Sequence, residues 1–407
     1  MRKPERLPIM AENKPVGIGI VGAGVISEIY MQNLSTKFPN TYLVGVADII
    51  PERAEKRAKQ FKTVAMSNDE LINHPDVELI VSLTPPLEHA KIGLAALSAG
   101  KSYYTEKPFA TDREDGQKMI DLAKEKGLYV GSAPDTFMGG GLQMCRALID
   151  QGLIGEPIAV DAGIRNHGME AWHPEPDFFF APGAGPLFDV GVYYVTAMAT
   201  ILGPYKNVSA LARATFPERT IGNGEREGEK IPVTTPTHIS AVMEFESGVI
   251  GSLTASFDLW ETEFARLTIY GTEGTLRLPD PNTFGGPIQY LQGGTDTWVD
   301  IPVTVPNQEN GRGLGANDLA TRIREGGKSR VDGSLGFHVL DFMTSVLESA
   351  ADGQRKEVKS TFDRPEIADY AKDAVIPDNV ERGISNQMNE MIQAAIAAMK
   401  TEQEEEE

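Results

Sequence analysis

The chain has 407 residues, of which 41% are hydrophobic and 24% charged, a composition that fits two or three globular domains of ordinary size. Its formal net charge of −20 opposes binding to nucleic acid phosphates or to an anionic membrane surface and favours a small-molecule partner. The one cysteine, Cys145, excludes an internal disulfide, suits a reducing compartment and reads as a small buried apolar residue.

Residues 1–14, MRKPERLPIMAENK, form a polar arm with no apolar run of signal-peptide length. Nowhere do about eighteen apolar residues follow one another, so no membrane-spanning helix is expected, and the expected location is the cytoplasm. From there short apolar runs alternate with helical patterns. Strands are predicted at Val16 to Val21, Tyr42 to Ala47, Glu78 to Leu83, Ser102 to Thr105 and Leu128 to Gly131. Helices are predicted at Val25 to Ser35, Glu52 to Phe61, Leu87 to Ala99 and Arg113 to Lys126. Strand and helix in strict alternation imply a doubly wound parallel sheet with helices on both faces, over residues 15–135.

Beyond that the rhythm changes. Long alternating runs at Thr237 to Phe245, Val249 to Phe257 and Arg266 to Tyr270 are joined by the turns Glu246-Ser247-Gly248 and Thr272-Glu273-Gly274. Hairpin-linked strands of this kind predict an α+β domain over residues 136–362, built on a large, mostly antiparallel open sheet. One helix, Pro186 to Leu202, is expected near its junction with the first domain. Segments 217–236 and 279–288, rich in Gly and Pro, read as loops. Residues 363–407 form an extension whose Val380 to Lys400 stretch has helical periodicity and which ends in the acidic run Glu404 to Glu407, read as solvated.

The first strand runs into GIVGAGVIS. Gly22 and Gly24 occupy the first two positions of a dinucleotide fingerprint, and Ser27 stands at the third, where glycine is usual. In such a turn the first glycine makes the bend and the second admits a pyrophosphate to a helix N-terminus, whose free N–H groups and dipole favour anions. Val25 and Ile26 carry the amides of that helix start. The second strand ends at Asp48, a carboxylate able to accept both hydroxyls of an adenosine ribose and to repel a 2′-phosphate, which favours NAD over NADP; a helix-capping aspartate is the plainer alternative. Arg53, close by in sequence, softens the exclusion, so NADP stays open.

Together GAGVIS, Asp48, the turn Thr84-Pro85-Pro86-Leu87-Glu88-His89, the segment Glu106-Lys107-Pro108, Gly185-Pro186-Leu187-Phe188-Asp189-Val190-Gly191-Val192-Tyr193 and Tyr270-Gly271-Thr272-Glu273-Gly274 resemble the Gfo/Idh/MocA oxidoreductases, named after glucose-fructose oxidoreductase and inositol dehydrogenase. The resemblance covers roughly residues 15–360. It implies a Rossmann-type first domain and an NAD(P)-dependent dehydrogenase acting on a secondary hydroxyl of a sugar, cyclitol or related polyol. It places Thr84, Pro85, His89, Glu106 and Lys107 on the cofactor side and implies a cis Lys107–Pro108 bond. Lys107 is then the group that exchanges a proton with the reacting oxygen, since desolvation disfavours its charged form and brings it toward use as a base.

Asp189 and Tyr193, four apart, would share one face of a helix. Most relatives carry histidine where Tyr193 stands and some carry tyrosine. Asp189 is expected to orient substrate hydroxyls, with Tyr193 donating to the reacting oxygen while Lys107 relays the proton. Segment Arg165 to His173, with His167, Trp172 and His173, suits a polyhydroxylated ring and equally an inter-subunit contact; Asp135 and Thr136 are further candidates for the cleft edge. The substrate is expected in a cleft between the nucleotide domain and the open sheet, and a homodimer or homotetramer through that sheet. His338, on an apolar helical pattern, reads as a core residue. No Cys/His cluster has metal spacing, so no metal is expected. Two other readings remain: an NAD-dependent glycosidase that oxidises its sugar transiently, and a non-catalytic dinucleotide-binding regulator of the same fold.

Overall fold

The computed structural model describes residues 14–260 and 266–375. Residues 1–13 of the expected arm, the expected helix Val380 to Lys400 and the acidic end lie outside the described residues. Two compact units divide the chain. One comprises the chain up to Ala110, Glu114–Ala133 and Arg312–Gly333; the other comprises Thr111–Arg113, Pro134–Gly311 and the chain from Ser334 on.

The first unit is built from β1 (Val16–Val21), α1 (Ser27–Thr36), β2 (Thr41–Ala47), α2 (Pro51–Phe61), β3 (Val64–Ala65), α3 (Asn68–Ile72), β4 (Leu79–Ser82), α4 (His89–Ser98), β5 (Ser102–Thr105), α5 (Arg113–Lys126) and β6 (Val130–Ser132). Its six strands are all parallel, in the order β3-β2-β1-β4-β5-β6. β1 is central and all six of its residues are buried, as a strand covered on both faces requires. α2 starts with Pro51 in its first turn and ends at Lys62 in the left-handed region (φ 54°). α3 opens on a capping box in which Ser67 and Glu70 satisfy one another's amides. The short pair β3 and α3 falls in a stretch where no element is predicted, because neither is long enough to show a period.

In the second unit α6 (Gly140–Asp150) precedes β7 (Pro157–Arg165), and α7 (Val192–Leu202) precedes β8 (Tyr205–Arg213), β9 (Glu218–Thr220), β10 (Lys230–Pro232), β11 (His238–Phe245), β12 (Ile250–Ser256), β13 (Leu267–Gly271), β14 (Gly274–Leu278), β15 (Ile288–Gln292) and β16 (Val299–Ile301). Downstream are α8 (Leu314–Glu325), α9 (Gly333–Asp352) and β17 (Lys356–Glu357). The nine-stranded sheet runs β16-β15-β14-β13-β7-β12-β11-β8-β17. All its pairs are antiparallel except β7 with β12, so the sheet is mixed. In β11, Ile239, Ala241, Met243 and Phe245 are buried while Ser240 and Val242 are exposed, the alternation of a strand with one covered face. The covered face meets α7 and α9: the Tyr205 ring stacks on Phe342 at 3.8 Å and its hydroxyl donates to Val195 O at 2.8 Å.

Three expectations are corrected. Residues 312–333, inside the 136–362 span, belong to the first unit, where Arg324 forks onto Glu78 at 2.6 and 2.7 Å, Asn33 donates to Arg312 O and Gly131 bridges Asp332. The guanidinium holds the Glu78 carboxyl below its ordinary range. Segment 217–236 is no plain loop: β9 and β10 pair in it, because Ile221 and Ile231 bury themselves against Phe179, Phe180 and Phe257. Pro186 to Leu202 is not one α-helix, since Leu187–Gly191 forms a π-turn ahead of α7.

Cys145 and His338 are buried, as expected. His338 accepts from the Tyr205 amide through Nε2 at 2.9 Å and faces Ser360 through Nδ1; burial takes its pKa down to about 4, so the ring is neutral in the core. No described helix is long and apolar enough to cross a membrane.

Candidate active site

The loops that leave the carboxyl ends of β1, β2, β4 and β5 carry the residues singled out in the first unit. In a sheet of this order, ligands bind at that edge, where the strand order reverses. Gly22 has φ 102°, and a Cβ there would stand 2.7 Å from the Leu83 carbonyl carbon, so the tight turn requires glycine. A Cβ at Gly24 would meet nothing within 4 Å, which leaves its backbone open to a close-packed ligand. α1 starts without a side-chain cap, and among the described residues no acceptor meets the amides of Gly24, Val25 or Ile26. An uncapped helix N-terminus behind an open glycine is the cradle a pyrophosphate needs.

Ser27, at the third fingerprint position, is fully buried; its hydroxyl donates to Gly24 O at 2.6 Å and accepts from Arg57 Nε at 3.0 Å. Serine is thus tolerated because its hydroxyl ties the turn to α2. Asp48 accepts from the Ala23 amide through Oδ2 at 2.7 Å and from the Ile50 amide through Oδ1 at 2.8 Å. A carboxylate has about four acceptor sites, so one remains on each oxygen for a ribose hydroxyl. Arg53 is exposed. Val25, Ile49 and Leu87 are 92%, 88% and 76% exposed, an apolar set on three of the strand-end loops that suits the faces of an adenine ring. These residues fit a bound dinucleotide.

Glu106 and Lys107 follow β5, half-buried, and the Lys107–Pro108 bond is cis. The Glu106 carboxylate is spoken for on both oxygens: Tyr30 donates to Oε1 at 2.7 Å and the Lys107 amide to Oε2 at 3.0 Å. Tyr30 escaped the sequence reading; its signal is a buried tyrosine one turn into the helix after the glycine turn. Thr84 and Pro85 lie on the loop after β4. His89 is a correction. Its ring is fully buried, with Nδ1 2.8 Å from Pro108 O and Nε2 2.9 Å from Thr84 O, so it meets backbone and presents no atom to a cofactor. Burial lowers its pKa, while the two carbonyls act in the opposite direction.

In the second unit Asp189 lies in the π-turn, half-buried, and Tyr193 one residue into α7, buried. Residues four apart remain on one side of so wide a turn, and π-turns recur at functional sites. Val190 packs on the cluster of Phe179, Phe180, Ile221, Ile231 and Phe257, so the β9–β10 hairpin supports the turn that carries Asp189. Asp135 is buried ahead of a short 3₁₀ turn. His167 stacks on Trp260 at 3.5 Å and meets Phe216 edge-on; Trp260 is 84% exposed. Trp172 is exposed against His173, whose Nδ1 accepts from the Glu175 amide at 3.1 Å. Arg219, on β9, is buried between Glu170 (2.8 Å) and Asp258 and also donates to Phe257 O. That triad and Trp260 had no sequence signal, because their members are scattered along the chain. Among the described residues no cluster of His, Cys, Asp or Glu could hold a metal ion.

The strand order, the glycine turn and Asp48 define a dinucleotide-binding oxidoreductase domain. The family model for an oxidoreductase family with an NAD-binding Rossmann fold matches residues 16–133, and that for the GFO/IDH/MocA C-terminal domain matches residues 142–277; the chain belongs to the Gfo/Idh/MocA oxidoreductases. It is similar to levoglucosan dehydrogenase of Pseudarthrobacter phenanthrenivorans, 24% identical over 345 residues, 75% of this chain and 87% of the relative. Inositol 2-dehydrogenase/D-chiro-inositol 3-dehydrogenase of Lactiplantibacillus plantarum is 35% identical over 162 residues, 37% of this chain and 45% of the relative. Among solved structures, levoglucosan dehydrogenase in complex with NADH and L-sorbose shares the fold with a TM-score of 0.71 at 21% identity, over 85% of this chain and 100% of that one.

Proposed function

We propose that the protein oxidises a secondary hydroxyl of a sugar, cyclitol or related polyol with NAD, and that Lys107, Asp189 and Tyr193 carry the chemistry. The observation that carries this reading is that Lys107 leaves the same edge of the parallel sheet as the open turn at Gly24 and the carboxylate of Asp48. Gly22, Gly24 and the amides of Val25 and Ile26 would hold the pyrophosphate and Asp48 the adenosine ribose, with Thr84, Pro85 and Glu106 on the nicotinamide side. Bound there, the nicotinamide supplies the acceptor for the hydride that leaves the carbinol carbon. Lys107 Nζ would take the hydroxyl proton, so that hydride and proton leave by separate routes and a carbonyl remains. Asp189 accepts hydrogen bonds from neighbouring hydroxyls and fixes which carbon reacts, and the Tyr193 phenol donates to the reacting oxygen. Similarity to dehydrogenases named for levoglucosan and inositols supports the substrate class. The test is reduction of NAD across a panel of sugars, lactones, inositols and aldonic acids, with the Lys107→Ala variant as control: one compound is turned over by the wild type and none by the variant.

The outer face of the nine-stranded sheet supports a homo-oligomer. Leu211, Val242, Ile250 and Tyr270 are exposed on it, among small residues such as Ser209, Ser240, Ser252 and Ala159 that pair beside them. Four exposed apolar side chains among short ones, with Glu244 and Asp161 beside Ile250 and Ser252 on the same face, suit packing against a second copy of the chain. The double variant Val242→Glu, Ile250→Glu is expected to reduce the mass measured by light scattering to that of one chain; a wild type that already has the single-chain mass would sink the proposal.

A further inference from the structure

His89 opens α4, and its imidazole joins two loops that leave different strands. Nδ1 stands 2.8 Å from the carbonyl of Pro108, beyond β5, and Nε2 stands 2.9 Å from the carbonyl of Thr84, beyond β4. Its own carbonyl accepts the Tyr103 hydroxyl at 2.7 Å, which fixes the backbone from which the ring projects. Both ring partners are carbonyls, which only accept, so a ring with one N–H bridges one of them at a time and a ring protonated on both nitrogens bridges both; the ring is closed off from water. A bond withdrawn here has no solvent to replace it. Glu106 and Lys107 are the charged groups that act on the ring, and Glu106 is already held by Tyr30 and the Lys107 amide.

We infer that His89 is a positioning residue with two separable duties: through Nδ1 it sets the Lys107–Pro108 segment, and through Nε2 it sets the Thr84 turn on the cofactor side. The inference rests on the dehydrogenase reading for what Lys107 does. The two duties can be removed one at a time. The amide nitrogen of asparagine reaches the place of Nδ1 and keeps the Pro108 bridge alone. The amide nitrogen of glutamine reaches the place of Nε2 and keeps the Thr84 bridge alone.

The experiment compares His89→Gln and His89→Asn with the wild type in steady-state reduction of NAD, with kcat expressed per NADH-binding site so that unfolded protein does not count. In His89→Gln, which frees the Lys107 segment, kcat falls about 10- to 100-fold, as for a misplaced catalytic group, and KM for NAD stays within about 3-fold. In His89→Asn, which frees the Thr84 turn, KM for NAD rises about 10-fold, the scale of one lost buried hydrogen bond, and kcat stays within about 3-fold. A histidine that only stabilised the fold would give two variants with equal kinetics and lowered thermal midpoints, and that result, or the reversed split, overturns the inference. A wild type that turns over no polyol would overturn the dehydrogenase reading instead. NADH titrated by its fluorescence then decides on His89: weaker binding in His89→Asn alone upholds its hold on the Thr84 turn, and equal binding in the two variants refutes it.

Discussion

Asp48 illustrates how a single side chain can serve fold and ligand together. Its two oxygens accept the amides of Ala23 and Ile50, one each, which ties the glycine turn to the start of α2 and leaves one acceptor site on each oxygen. Substitution by asparagine keeps one acceptor and removes the charge that discriminates against a 2′-phosphate. The expected result for Asp48→Asn is a KM for NAD raised about 10-fold or more, the scale of a lost charge-assisted hydrogen bond, together with a gain of NADP over NAD in kcat/KM. An unchanged ratio of the two cofactors would show that Asp48 only braces the turn. The glycines and Asp48 were readable in the sequence because each follows a strand with a clear apolar run, whereas Lys107 was marked by the family resemblance of Glu106-Lys107-Pro108. The partners that fix them were not. Tyr30 reaches Glu106, and His89 reaches Pro108, through contacts that only the folded sheet creates.

Hairpin β9–β10 contributes Arg219, which lies between two carboxylates and among aromatic rings, with its guanidinium 4.7 Å from the Phe216 ring centre. Removing the cation leaves the buried carboxylates of Glu170 and Asp258 without a counter-charge, with Asp258 keeping the Thr237 hydroxyl at 2.8 Å, a loss of about 3–5 kcal/mol. Arg219→Met is therefore expected to lower the midpoint of chemical denaturation strongly. Arg226→Met, which removes an equally well-connected but exposed ion cluster with Glu175, Asp177 and Glu229, should leave it nearly unchanged, because surface pairs contribute little. Equal effects would mean that the Arg219 triad does not brace the hairpin. At this scale the alternating strands β11 and β12 announced themselves by period two. The hairpin was hidden in a Gly- and charge-rich segment with only Ile221 and Ile231 to mark it, and the π-turn at Asp189 has the same residue pattern as an α-helix.

The chain as a whole folds as a discontinuous pair: a nucleotide-binding unit completed by residues 312–333 and a second unit built on a mixed nine-stranded sheet. Two fold classes in sequence order were legible from the change of period near residue 150. The return of α8 to the first unit was not, since its amphipathic pattern does not say which core it covers; contacts such as Arg324 with Glu78 decide it. We propose that this family member is a net oxidoreductase in which Lys107 moves the proton. Absorbance at 340 nm, followed with NAD and a panel of sugars, inositols and aldonic acids for the wild type and Lys107→Ala, tests it most directly. NADH formation is expected with at least one polyol in the wild type and with none in the variant, with NADH binding by the variant retained. Turnover that survived in Lys107→Ala, or a wild type that binds NADH tightly yet reduces NAD with no member of the panel, would contradict it.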